Sequence, residues 1–300
     1  MRIAIAAGVV CLAAVTAAAK DPPPAAAGAG FTTILFETDF AAIPGLVGVL
    51  SCAGTPQTAP WKQGEWWEGQ NDPSGVAPCR QISLVQDPAF GHQVLDLAWL
   101  AAGNHDIADN TAISTFPLDT VSPHFAFRHG YVEVELRLGS AAPGIYASVV
   151  GWGDESVIFA NTPPYQARVP AAEFDIVEIS APWSGPWLAF DSAIREWYDP
   201  GVFQGGANAF IAGPFAVDAT QPHRYGFLWV PGGQWQGGWV CSLIDDQWQG
   251  CRQTTAASEA AQEFLLISMG ILCNPGGGRS CIGNLQRADL YVSRVTVWGE

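Results

Sequence analysis

Hydrophobic and polar residues alternate with a period of two in several segments of the chain. The clearest are residues 131–138, YVEVELRL, and residues 291–297, YVSRVTV. Continuous apolar runs bounded by turn-forming residues occur at 94–100, 225–230 and 264–271. Alternation is typical of a half-buried strand, and a short apolar run is typical of a fully buried one. The pattern therefore predicts many short strands.

Helical periodicity is weak by comparison, and the one fair helical stretch is short, at residues 255–263. The chain has 33 Gly and 22 Pro among its 300 residues, so turns are frequent. Many short strands separated by Gly/Pro turns favour an all-β sandwich or barrel. At this length we expect a sandwich of two sheets with long loops.

The N-terminus has the features of a secretory signal peptide over residues 1–19. Arg2 supplies the positive charge, an apolar run spans 3–14, and small residues suited to cleavage follow. The alternative is a retained membrane anchor, but the run is short for a membrane span. Residues 20–30, rich in Pro, Ala and Gly, are predicted to be a linker, and residues 31–300 one domain. We expect a secreted monomer, free of the membrane after cleavage.

The charge balance excludes some partners. The formal net charge is -15, with only two lysines, Lys20 and Lys62, and no Lys/Arg cluster. Nucleic acids and anionic membranes need a basic surface, so neither is an expected partner. A neutral ligand such as a sugar polymer is compatible with this composition.

Six cysteines remain after the signal is removed, and an even number in an exported chain favours disulfides. Six cysteines allow 15 pairings. The preferred pairing joins sequence neighbours: Cys52–Cys79, Cys241–Cys251 and Cys273–Cys281. No cysteine or histidine spacing is typical of a zinc site, so no metal site is predicted.

Three acids fall within the six residues 173–178, EFDIVE, on a segment with strand character. Residues two apart on a strand share a face, so Glu173 and Asp175 point the same way. Glu178 would point to the other face unless a β-bulge near 176–177 turned it back, and bulges commonly re-aim side chains beside active sites. Glycoside hydrolysis needs two carboxyl groups flanking the scissile bond. When these carboxyl groups are about 5 Å apart, the enzyme retains the configuration of the anomeric carbon. The other interpretation is an acidic, solvated strand face.

Residues 173–178 match the E-x-D-x-x-E signature of glycoside hydrolase family 16, in the bulged form of laminarinase-like members. Weaker matches follow the order of the family along residues 36–298. They are FETDF at 36–40, AIST at 112–115, FRHGYVE at 127–133, GIYA at 144–147, PHRYGFLW at 222–229 and YVSRV at 291–295. The chain therefore resembles this family over most of its length.

The resemblance implies a concanavalin A-like jelly roll, a β-sandwich of two curved antiparallel sheets. It implies Glu173 as nucleophile, Glu178 as acid/base, and Asp175 as the residue that orients Glu173. The usual substrates are β-1,3-glucans and mixed β-1,3/1,4-glucans, while galactans and transglycosylation also occur. No cofactor is required.

Departures from the family pattern concern substrate contacts and calcium. Tyr146 stands where the family often has Trp, and Trp197 follows Arg195 where a His-x-Trp is usual. Glu135 stands where many members carry Arg, and Ser293 replaces an Asp that often helps to bind structural calcium. Calcium binding is therefore in doubt, whereas the three acids are intact.

Aromatic residues near the acids are candidate sugar contacts, because sugars stack on aromatic faces. Tyr146, Trp183 and Trp197 are the expected substrate-binding residues, with core packing as the alternative for the tryptophans. The leading function is a secreted retaining endo-glycosidase acting on a β-glucan. The alternatives are a non-catalytic, lectin-like carbohydrate-binding protein and a transglycosylase on the same fold, because a fold alone does not determine function.

Overall fold

Two stacked β-sheets form the body of the protein in the computed structural model. The structure describes residues 20–45, 50–51, 61–63, 81–100, 111–115, 125–153, 171–180, 188–197, 209–233, 238–255, 258–259, 261–271 and 285–300.

The first sheet has the strand order β14-β13-β12-β7-β16-β5-β4, and β1 also pairs with β16. Its strands are β1 (Thr33–Asp39), β4 (Ile82–Asp87), β5 (His92–Leu100), β7 (Gly130–Leu138), β12 (His223–Val230), β13 (Trp239–Ile244), β14 (Gln247–Gln253) and β16 (Arg287–Gly299).

The second sheet has the order β11-β10-β9-β8-β15-β6-β3-β2. Its strands are β2 (Leu50–Ser51), β3 (Trp61–Gln63), β6 (Thr111–Ser114), β8 (Ile145–Gly153), β9 (Ala171–Ser180), β10 (Leu188–Trp197), β11 (Ala209–Val217) and β15 (Glu263–Ile271). Of the described strand pairs, β2 with β3 is parallel and the others are antiparallel.

The core lies between the sheets and is rich in aromatic rings. Phe174 of β9 packs on Phe227 and Trp229 of β12, with ring centroids 5.3 and 4.8 Å apart. Rings in this range attract one another beyond their simple burial. The two-sheet sandwich predicted from the hydrophobic pattern is confirmed, and each of the five segments from which it was predicted lies in a strand.

The predicted linker is wrong as a description of residues 20–30. Residues Pro24–Gly28 form a short helix, α1, that buries Ala26 against the first sheet. Lys20 Nζ contacts Glu133 Oε1 of β7 at 2.8 Å. A composition rich in Pro and Ala does not distinguish a linker from a short helix, because Pro suits the first turn of a helix and Ala is the best helix former. The segment is therefore packed on the domain.

The helical stretch predicted at 255–263 is present only in part. Ser258 and Glu259 are helical, whereas Glu263 already begins β15. Pairing of β15 with β8 takes the last residue of the predicted stretch into the sheet.

One of the three predicted disulfides lies within the described residues. Cys241 and Cys251 are paired across β13 and β14 and joined by a disulfide, with Cα atoms 4.0 Å apart. That pairing is confirmed. The other four cysteines, Cys52, Cys79, Cys273 and Cys281, lie outside the described residues.

Removal of this disulfide is expected to destabilise the hairpin. The Cys241→Ser/Cys251→Ser double variant should lose about 2–3 kcal/mol of unfolding free energy, because the bond closes a loop with a sequence separation of 10. Urea unfolding of the two proteins, without reductant, measures the difference. Coincident unfolding curves would contradict a stabilising role.

Ser293, where the resemblance leads one to expect a calcium-ligating Asp, is engaged by neighbouring side chains. Its hydroxyl donates to Glu135 Oε2 at 3.0 Å and lies 2.8 Å from His92 Nε2. Calcium prefers several oxygen ligands, including carboxylates. A hydroxyl held between a histidine and a glutamate does not fit that ligand set. Within the described ranges no cluster of three or more His, Cys, Asp or Glu is suited to a metal.

No helix in the described part of the chain is long and apolar enough to span a membrane.

Candidate active site

A β-bulge interrupts β9 where it pairs with β8. Val149 pairs with Val177, and the next residue, Val150, pairs with Asp175. Two steps on β9 therefore oppose one step on β8, and Ile176 is the extra residue. This is the bulge that the spacing of the acids required.

The register with β10 shows the same extra residue from the other side. Asp191 pairs with Glu178 and Ala193 with Asp175, which is three steps on β9 against two on β10. The hydroxyl of Ser192, between them, donates to the backbone carbonyl of Asp175 at 2.8 Å. A bulge breaks the regular ladder, and this buried hydrogen bond satisfies a carbonyl at the break.

The bulge decides which face each side chain of β9 occupies. Phe174, Ile176, Val177 and Ile179 all belong to the core cluster between the sheets. Two consecutive residues, Ile176 and Val177, therefore point inward, and alternation resumes after them. Glu173, Asp175 and Glu178 consequently share the opposite face of the second sheet, which we call the acid face.

The three acids differ in burial. Glu178 is partly exposed, whereas Glu173 is 5% and Asp175 1% exposed. Glu178 is therefore the most accessible of the three acids on this face.

The neighbouring strand β8 provides the surroundings of the acids. Ser148, Val150 and Trp152 pair with Glu178, Asp175 and Glu173 respectively. Ser148 is buried and hydrogen-bonds Ser268 of β15 at 2.8 Å. Val150 packs with Ala112 and Leu266 in a small apolar cluster. The residues that flank the acids on β8 are thus a short polar side chain at Glu178, a short apolar one at Asp175 and a large aromatic one at Glu173.

Tyr146 lies on the acid face, two residues before Ser148. Its hydroxyl donates a hydrogen bond to Oε1 of Glu178. The sequence predicted that this residue contacts a sugar. In the structure its hydroxyl bonds to the candidate acid/base. Trp183 and the side chain of Trp197, the other two predicted sugar contacts, lie outside the described part of the chain.

Glu263, at the start of β15, is a residue that sequence reasoning missed. Its side chain is fully buried, and neither carboxyl oxygen has a hydrogen-bond partner among the described residues. It packs beside Gly151, on the core side of the sheet, close to Phe174. Burial raises the pKa of Glu263 well above its ordinary value, and the charge of Glu173 raises it further. An acid that opens an apolar run was the only sequence signal.

The comparisons with known proteins show the fold. The chain matches the catalytic domain of an endo-1,3-β-glucanase (laminarinase) from Thermotoga petrophila at a TM-score of 0.55 and 12% identity, over 89% of this chain and 98% of that one. A family 16 enzyme from the mixed-linkage glucan system of Bacteroides ovatus, solved with a product, matches at 0.55 and 15%, over 88% and 100%. An endo-β-galactosidase from Clostridium perfringens that releases GlcNAcα1-4Gal matches at 0.56 and 13%, over 89% and 62%.

No protein-family model matches the sequence, and no curated protein matches it either. At these identities the structural matches establish the architecture alone. The predicted jelly-roll β-sandwich is confirmed.

Proposed function

We propose that this chain is a retaining endo-glycosidase of glycoside hydrolase family 16 that hydrolyses a β-1,3- or mixed β-1,3/1,4-glucan. The observation that carries the proposal is the bulge at Ile176, which brings Glu173, Asp175 and Glu178 to one face. A strand without that extra residue would point Glu178 into the core, where it could not act on a sugar.

The proposed mechanism has two steps. In the first, Glu178 donates its proton to the glycosidic oxygen while the carboxylate of Glu173 attacks the anomeric carbon, which releases the leaving sugar as an alcohol. In the second, Glu178 takes a proton from water as the water attacks the same carbon and frees Glu173. Asp175 lies between the two acids on the acid face and orients Glu173.

A glucan substrate is supported by the fold shared with laminarinases and a mixed-linkage glucanase. An endo-β-galactosidase has the same fold, so the fold does not choose the sugar. The reaction with several polymers, rather than the fold, therefore decides between a glucan and a galactan.

We also propose that the chain is exported and that residues 1–19 are removed. The Cys241–Cys251 disulfide supports this, because such bonds persist mainly in oxidising compartments. The mature form beginning at Lys20 is therefore the protein to assay.

Incubation with laminarin, lichenan, agarose and xyloglucan tests the proposal. We expect reducing ends from laminarin or lichenan, with the β-anomer appearing first in proton NMR spectra, because two displacements restore the original configuration. Release of reducing ends from agarose alone would indicate that the substrate is a galactan and not a glucan. Binding to a glycan without release from any polymer would favour the lectin-like alternative, and longer products from added oligosaccharide would favour transglycosylation.

A further inference from the structure

We propose that Tyr146 is a positioning residue for the acid/base. Its hydroxyl holds one oxygen of Glu178, so that the other oxygen faces the glycosidic bond, and it stabilises the carboxylate that remains after proton donation. This inference rests on the proposed function, since it assigns Glu178 the role of acid/base.

The geometry that carries this inference is a diagonal contact across two strands. Tyr146 pairs directly with Ser180 of β9, and Glu178 pairs with Ser148. Diagonal neighbours on one face of a sheet lie within reach of an aromatic side chain. On its other side Tyr146 pairs with Gly270 of β15, which has no side chain to compete for the space. The partly buried phenol therefore reaches Oε1 of Glu178.

The chemical consequence follows from what changes at Glu178 during the first step. Its proton moves to the glycosidic oxygen as the bond from that oxygen to the anomeric carbon breaks, and the carboxyl becomes a carboxylate. A hydrogen bond to an ionised acceptor is roughly twice as strong as one between neutral groups. The Tyr146 hydroxyl therefore binds the transition state more tightly than the ground state, which lowers the barrier.

The role differs from stacking on a sugar, which is what sequence reasoning assigned to Tyr146. Stacking acts on substrate binding and is retained when only the hydroxyl is removed. Positioning acts on proton donation, and it loses importance when the leaving group departs without a proton. Removal of the hydroxyl alone therefore distinguishes the two roles: stacking predicts little change in rate, and positioning predicts a loss that depends on the leaving group.

Tyr146→Phe removes the hydroxyl and keeps the ring. The test compares kcat/KM, which reports the first step, for phenyl and 2,4-dinitrophenyl β-laminaritriosides. We expect the variant to lose about tenfold to a hundredfold on the phenyl glycoside, the value of a hydrogen bond to a charged group. On the dinitrophenyl glycoside we expect a change of less than about threefold, because that leaving group needs no proton.

Tyr291→Phe is the matched control, since Tyr291 lies on β16 of the first sheet, against Arg137. It should leave both rates unchanged. Equal losses of the Tyr146→Phe variant on both glycosides, or no loss on either, would overturn the positioning role. A wild-type protein inert on both glycosides and on every polymer would instead overturn the proposed function, and this inference with it.

A double-mutant cycle tests the hydrogen bond without any substrate. Tyr146→Phe and Glu178→Ala are combined, and urea unfolding of the four proteins is measured near neutral pH. We expect a coupling of about tenfold in the unfolding equilibrium constant, because the effects of substituting two residues that share a hydrogen bond are not additive. Additivity within about twofold would overturn the contact and the inference.

Discussion

Glu173→Gln is expected to lower hydrolysis of the cleaved polymer by about four orders of magnitude or more. The amide is isosteric with the carboxylate but cannot form the covalent glycosyl-enzyme, and loss of a catalytic nucleophile costs this much in other hydrolases. Initial rates of reducing-sugar release from the same polymer by both proteins measure the effect.

Measuring the stability of the Glu173→Gln variant distinguishes a loss of catalysis from a loss of folding. Glu173 is buried, and Gln has nearly the same shape without a charge, so the substitution places neither new bulk nor a new charge in the buried site. We expect the Glu173→Gln variant to unfold at a urea concentration no lower than wild type. Glu37→Gln, at an exposed position on β1, is the matched control and should retain full activity.

The assignment of the two roles can be tested with azide. Azide should restore turnover of an activated aryl glycoside by the Glu173→Ala variant, with an α-glycosyl azide as product, because azide replaces the nucleophile in a single displacement. A β-glycosyl azide from this variant would indicate that Glu178 is the nucleophile and Glu173 the acid/base. Unchanged hydrolysis by the Glu173→Gln variant would refute the whole mechanism.

Glu263→Met is expected to stabilise the protein by an amount that grows as the pH rises. Burial raises the folded-state pKa of Glu263 above its ordinary value of 4.5. Between the unfolded and folded pKa values, the folded protein holds a proton that the unfolded chain has lost, so wild-type stability falls with increasing pH. The slope attributable to this group is up to about 1.4 kcal/mol per pH unit. Methionine fills a similar volume and does not titrate.

Urea unfolding at half-unit steps from pH 4 to 8 measures the difference between the two proteins. Burial and the neighbouring charge of Asp289 raise the pKa of Asp96 to about 7. Asp96 therefore also makes the free energy of unfolding fall as the pH rises through this range. Both proteins contain Asp96, so its contribution cancels in the difference. Glu263→Gln provides a second comparison, since it removes the charge and keeps the polarity. Parallel stability profiles for wild type and both variants would refute a buried, proton-holding Glu263.

Local pattern was sufficient for most of the architecture. Period-two alternation at residues 131–138 and 291–297 predicted strands, and both segments lie in strands of the first sheet. The pattern succeeds because successive side chains of a strand point to opposite faces, so burial of one face appears directly in the sequence. Sequence reasoning failed at residues 20–30, where composition did not show that Ala26 would find a surface to pack against.

The acids show where sequence information ends. The spacing of Glu173, Asp175 and Glu178 by itself required a bulge if all three were to share a face, because a strand has a period of two, and the structure contains that bulge. That Tyr146 would bond to Glu178, and that Glu263 would lie buried behind Glu173, depended on which strands became neighbours. Strand pairing joins residues far apart in the chain, so only the tertiary structure decided which groups surround the acids and how buried each one is.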